Sequence, residues 1–269
     1  MKYLRILIIS LIGLSVFSCS KVPITGRKQL KLIPYNTMME MGQTNYATFL
    51  KENPAINPPT RSSAEVSAVG VRISKAVEKY LRDNKLGNKV DGYKWEFNVV
   101  DSPEANAWCM PGGKVVVYTG LLPITQNETA LAVVMGHEIA HAIAQHGNER
   151  MSQGLLLQLG GVALDVATST KPDETRQLFQ LAYGVGANVG VMLPYSRKHE
   201  SEADRMGLVF MAMAGYDPNQ APVFWERMSK LEGSKPPLIL STHPSDEKRI
   251  VDLKKNMPEA MKYYKPSGN

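Results

Sequence analysis

Cysteine is scarce: Cys19 and Cys109 are the only two in 269 residues, too few for a disulfide framework. If Cys19 is modified, Cys109 has no intramolecular partner and reads as a small buried thiol. Long apolar runs are also missing. The stretches 154–167 and 178–193 fall short of the roughly 20 residues that span a bilayer, and their Gly and Ala content suits close helix packing. Internal repeats, heptads and low-complexity tracts are absent, which excludes solenoids and coiled coils. The formal net charge is only +6, falling to +4 if Lys2 and Arg5 are removed with a leader, and no basic stripe is present. That excludes a nucleic-acid footprint. Histidine is missing from the first 136 residues; His137, His141, His146, His199 and His243 all lie in the C-terminal half.

With 43% hydrophobic and 21% charged residues the chain can bury a full core, and one domain with a short appendage is the expected organisation. Residues 1–18 read as a signal peptide: Lys2 and Arg5 precede a short apolar stretch from Ile6 to Phe17. Val16-Phe17-Ser18-Cys19-Ser20 resembles a lipobox, with Phe17 departing from the commonest pattern, and makes Cys19 the expected site of lipid attachment. Residues 19–59 then form an N-terminal lipidated segment with a first helix, and residues 60–269 the main domain.

Helices are expected over 36–52 and 64–81, the latter from Val66, Val69, Ile73 and Val77 near a 3.6-residue period. Tyr93, Trp95, Phe97 and Val99 alternate with polar residues as in a half-buried strand, and 105–110 and 114–119 flank Pro111-Gly112-Gly113 as a hairpin. Further helices are expected at 126–147, twice within 154–192, and at 197–214, 218–232 and 245–256. The fold class is therefore α+β, mostly helical, with a small β-sheet and hairpin packed on the helices.

In the helix at 126–147, Thr125 and Glu128 have the spacing of a capping box. Ala130, Val133, Val134, His137, Glu138, His141 and Ala144 fall on its core-facing stripe. Two buried imidazoles and a carboxylate are costly without partners, and a metal ion removes that cost. Residues i and i+4 project to one side of a helix, so His137 and His141 can reach one ion while Glu138 can take a proton from metal-bound water. A catalytic zinc needs a third protein ligand, and in Glu200-Ser201-Glu202-Ala203-Asp204 one of Glu200 and Asp204 can bind metal while the other orients a ligand histidine. Glu202 lies about 200° round the helix from Glu200 and should face away. His146, about 180° from His137, is expected to be structural or solvent-facing, and His199 to face solvent.

His137-Glu138-Ile139-Ala140-His141, followed by 195–205 (YSRKHESEADR), resembles the HtpX-like and CAAX-prenyl-protease-like zinc metallopeptidases of the gluzincin group, and within it the lipoprotein branch of bacterial cell-envelope proteases. Similar matches are Val22-Pro23-Ile24-Thr25-Gly26-Arg27-Lys28-Gln29-Leu30, residues 106–113 (NAWCMPGG), and Ser241-Thr242-His243-Pro244 with Arg249. The resemblance implies a metallopeptidase domain over 60–269, one zinc ion held by His137, His141 and Glu200, Glu138 as general base, and Asp204 buttressing a ligand histidine. It further implies polypeptide substrates, misfolded envelope proteins among them, and a lipid-anchored protein on the periplasmic side of the envelope. Ser20 after Cys19 points to the outer membrane.

A tetrahedral oxyanion needs a further donor, for which His243, Tyr195, Arg197 and Arg249 are candidates, His243 foremost. His243 can alternatively be a structural loop residue or an inhibitory fourth ligand. The strand near Asn106 to Met110 is expected to offer an exposed edge for an extended peptide. A zinc-stabilised chaperone or binding lipoprotein is the rival reading; it would need four protein ligands and no Glu138.

Overall fold

The computed structural model describes residues 19–159, 196–231, 237–243 and 247–266. The expected signal peptide, the apolar stretch 178–193 and Tyr195 lie outside the described residues. So does most of 154–167.

Strands β1 (Cys19–Lys21) and β2 (Lys28–Leu30) form an antiparallel pair. Helix α1 (Tyr35–Glu52) follows, then α2 (Arg61–Asp83), whose Thr60 N-cap makes a reciprocal capping box with Ser63. Val66, Val69, Ile73 and Val77 of α2 are fully buried, as their period predicts. Strands β3 (Glu96–Val100), β4 (Ala107–Met110) and β5 (Lys114–Tyr118) form one sheet of order β3-β5-β4. The β4–β5 pair is the expected hairpin, and positive φ at Gly112 (88°) and Gly113 (78°) closes its turn. β3 runs parallel to β5 on its other side.

The next element departs from expectation. A short helix, α3 (Leu122–Thr125), ends before left-handed Gln126, and α4 (Glu128–Ile143) starts anew. Asn127 is its cap, Oδ1 accepting from the Ala130 amide at 2.9 Å, while Thr125 Oγ1 donates back to Leu122. Every residue of α4 from Ala130 to Ile143 is buried. Beyond its first two residues it passes between β4, α2 and the later helices with no solvent face.

α5 (His146–Leu159) follows after left-handed Gln145 at φ 56°, so the chain turns between Ile143 and His146 and the expected single helix to 147 is two. α6 (Arg197–Met213), α7 (Gln220–Ser229), short α8 (Leu238–Thr242) and α9 (Glu247–Met261) complete the described chain. The result is a mostly helical α+β fold with a small mixed sheet. Among the described residues, no helix is long and apolar enough to cross a membrane.

Candidate metal centre

Helices α4 and α6 cross with backbone nearly touching. A Cβ added at Gly136 would lie 3.1 Å from the Gly207 carbonyl oxygen, and one at Gly207 would lie 3.0 Å from the His137 amide nitrogen. Two glycines thus permit the approach that brings His137 and His141 of α4 against Glu200 and Asp204 of α6. Ser196 caps α6 by accepting from the His199 amide, which fixes where the helix begins and hence where Glu200 sits.

Four side chains converge. His137 Nε2 lies 3.0 Å from His141 Nε2 and 3.1 Å from His243 Nδ1, and Glu200 Oε1 lies 3.0 Å from His243 Nδ1 and 3.3 Å from His141 Nε2. One ligand atom from each of the four fits within a span of 4.8 Å, and all four residues are buried. His137 Nδ1 faces Asp204 Oδ1 at 2.9 Å, so Nε2 is the nitrogen turned toward the other three side chains, where a cation would take the place of its proton. Lone pairs and a carboxylate aimed at one another repel unless a cation lies between them. Glu200 Oε2 and Glu138 Oε1 are buried and accept no hydrogen bond. Three imidazole nitrogens and a carboxylate oxygen are a donor set suited to zinc.

The electrostatics follow. Burial opposes charge on His137, but Glu200 and Asp204 outweigh it and push its pKa up to about 9. At His141 burial dominates and holds the pKa well below the usual histidine range. Burial also raises Glu138. It works against ionised Glu200 as well, yet His243 and His137 hold that carboxylate well below its usual range.

The remaining candidate residues are placed as follows. Arg249 is buried and held at Asp204 Oδ1 (2.7 Å), its guanidinium carbon 3.2 Å from the Trp225 ring centroid, so it braces the back of His137. Arg197 is exposed at the first turn of α6, and Asn106 is buried, with its carbonyl accepting from the Tyr118 amide. β4 is the sheet's edge by pairing, but Asn106 to Met110 are all buried and the Ala105 carbonyl accepts from the Ile239 amide of α8. The edge is covered, not exposed. His199 is buried too, 3.0 Å from Glu149, because α6 is turned with its first residues against α5. His146 is structural, as one of the two expected roles had it, but not solvent-facing: it is fully buried with Nδ1 2.9 Å from His141 Nδ1, because the chain turns at Gln145 instead of continuing as one helix.

The profile of the family described as peptidase family M48 matches residues 71–257. The chain belongs to peptidase family M48. As in an M48 zinc metalloendopeptidase, His137, His141 and Glu200 make up a His-Glu-x-x-His site completed by a downstream Glu. This M48 chain is 32% identical over 250 residues to the mitochondrial metalloendopeptidase OMA1 of Schizosaccharomyces pombe, covering 89% of the chain and 66% of that protein. To the OMA1 of Saccharomyces cerevisiae it is 30% identical over 256 residues, covering 92% and 71%. To the beta-barrel assembly-enhancing protease of Escherichia coli it is 25% identical over 242 residues, covering 88% and 47%. These relatives thus extend beyond the region that this M48 chain matches.

Proposed function

We propose that this chain is a zinc endopeptidase of the bacterial cell envelope, lipid-anchored through Cys19 on the periplasmic side of the outer membrane, and that it hydrolyses peptide bonds in misfolded envelope proteins. The observation that carries the peptidase reading is the convergence of His137, His141 and Glu200 beside a buried Glu138 whose Oε1 accepts no hydrogen bond. The leader and lipobox-like sequence support the anchor, and the protease of Escherichia coli to which the chain is similar is named for enhancing beta-barrel assembly.

Bound zinc would polarise the scissile carbonyl and acidify its water. Glu138, buried beside the ligands, would accept a proton from the attacking water and pass it to the leaving amine. With zinc bound, His137 and His141 would ligate as neutral imidazoles, their other ring nitrogens held by Asp204 and His146. The intact Glu138 weighs against a chaperone with a purely structural zinc.

A second observation favours a latent resting state. His243 enters the donor set through Nδ1, with Nε2 3.5 Å from Glu138 Oε1, and α8, which leads to it, covers the β4 edge at Ala105. Three ligands leave a zinc position open for substrate; a fourth closes it. Withdrawal of α8 would free both a ligand position and a strand edge for an extended peptide. His243→Ala should therefore retain zinc and cleave an unfolded protein substrate about tenfold or more faster than wild type. Slower cleavage with zinc retained would return His243 to an oxyanion or structural role.

A further inference from the structure

Behind His141 lies a second buried polar cluster. His146 has Nδ1 2.9 Å from His141 Nδ1 and Nε2 3.0 Å from Glu202 Oε2. Glu202 in turn accepts from the Thr25 hydroxyl at Oε1 and from Arg27 Nε at Oε2, 2.7 Å away. The two terminal nitrogens of Arg27 grip both oxygens of Glu149 at 2.8 and 2.7 Å. Glu149 lies 3.0 Å from His199 Nε2, and the His199 ring stacks on His146 with centroids 4.5 Å apart. Two carboxylates and two histidines would suit a second metal, but the Arg27 guanidinium already stands between the carboxylates.

Proton accounting gives this cluster a direction. For His141 Nε2 to present a lone pair to the metal centre, its proton sits on Nδ1 and needs an acceptor. His146 Nδ1 accepts it only when His146 carries its own proton on Nε2, and that proton goes to Glu202. His137 has its carboxylate directly behind it, whereas His141 has one at the far side of a second imidazole. The Glu202 carboxylate is then fixed by two residues from the other end of the chain. A tight turn presents them: the Gly26 amide donates to the Val22 carbonyl at 3.0 Å with Gly26 at φ 68°, and the Val22 amide donates to the Arg27 carbonyl at 2.9 Å.

We propose that Arg27, with Thr25, is a positioning residue of the metal centre, setting the tautomer and orientation of His141 through Glu202 and His146. The inference rests on the zinc-site reading above. It makes the 22–27 turn part of the active-site scaffold.

The test compares the full chain with Arg27→Ala, Arg27→Lys, Thr25→Val and, as a control for loss of an ion pair outside this hydrogen-bonded cluster, Glu259→Gln, which breaks the Arg205–Glu259 pair. Three quantities are read: transfer of zinc to a competing chelator, the visible spectrum of the cobalt-substituted protein, and the melting temperature with and without metal. Arg27→Ala should weaken zinc binding about tenfold or more, alter the cobalt spectrum, and lower the melting temperature more with metal than without. Thr25→Val should shift zinc binding the same way by less. Arg27→Lys should not restore wild-type binding, because an ammonium cannot hold two carboxylates in a fork. Glu259→Gln should leave zinc affinity and spectrum unchanged. If Arg27→Ala does not fold, Thr25→Val and Arg27→Lys carry the decision. Wild-type zinc affinity and spectrum in all foldable Arg27 and Thr25 variants would overturn the inference while leaving the zinc site intact; a folded wild type that binds no zinc would instead remove the site on which it rests.

Discussion

A Cβ on Gly207 would sit 3.0 Å from the amide nitrogen of His137 and 3.2 Å from its Cα. The neighbouring atoms belong to the backbone of another helix, so they can yield only if α4 and α6 separate by a few tenths of an ångström. Gly207→Ala should therefore loosen the pairing of His137 with Glu200 and Asp204 while removing a helix glycine. Overpacking at such a contact costs about 1–3 kcal/mol, more than the ~1 kcal/mol gained by replacing Gly with Ala in a helix. The expected result is a lower melting temperature together with weaker zinc binding, read by thermal unfolding and chelator competition. An unchanged or raised melting temperature would show that the helices can part freely.

Arg249 and Asp204 form a buried pair at 2.7 Å, each side chain about 4% exposed. Removing one partner of such a pair leaves an uncompensated charge and costs about 3–5 kcal/mol. Arg249→Met should destabilise the fold by that order in urea denaturation. Asp204→Asn keeps the shape but not the acceptor strength, and should weaken zinc binding about 10- to 100-fold.

Acid sensitivity should involve Glu149. Burial alone would raise its pKa, but hydrogen bonds with His199 and Arg27 outweigh burial and hold the carboxylate at about 2. Its unfolded value is about 4.3, so between those pH values the unfolded chain binds more protons than the native one. The stabilisation is fully present above the unfolded pKa and is lost as pH falls towards 2. The melting-temperature difference between wild type and Glu149→Gln should therefore be largest above pH 5 and shrink on acidification. A difference that stays constant down to pH 2 would contradict this.

Much of this structure was legible in the sequence, for physical reasons that can be named. The 3.6-residue period of Val66, Val69, Ile73 and Val77 identified the buried face of α2, and the Pro111-Gly112-Gly113 turn identified the hairpin. His137 and His141 were accessible because residues i and i+4 share a helix face, whereas spacing left Glu200 and Asp204 as alternatives and the family resemblance singled out Glu200. What escaped depends on local breaks. Left-handed Gln126 moved the α4 cap from Thr125 to Asn127, and left-handed Gln145 turned His146 back under His141; neither glutamine advertises that conformation. The roles of Arg27 and Glu149 depend on contacts more than 120 residues apart in the chain, for which no local spacing exists. Val22-Pro23-Ile24-Thr25-Gly26-Arg27 stood out in the sequence, but only the fold shows what its arginine holds.

The most direct test of the central claim is zinc content and cleavage of an unfolded protein substrate, measured on the same preparations of wild type, Glu138→Gln and His243→Ala. The account predicts one zinc per chain in wild type and in both variants, faster cleavage by His243→Ala than by wild type, and no cleavage by Glu138→Gln. Cleavage that survives Glu138→Gln, or a folded chain that binds no zinc, would contradict it.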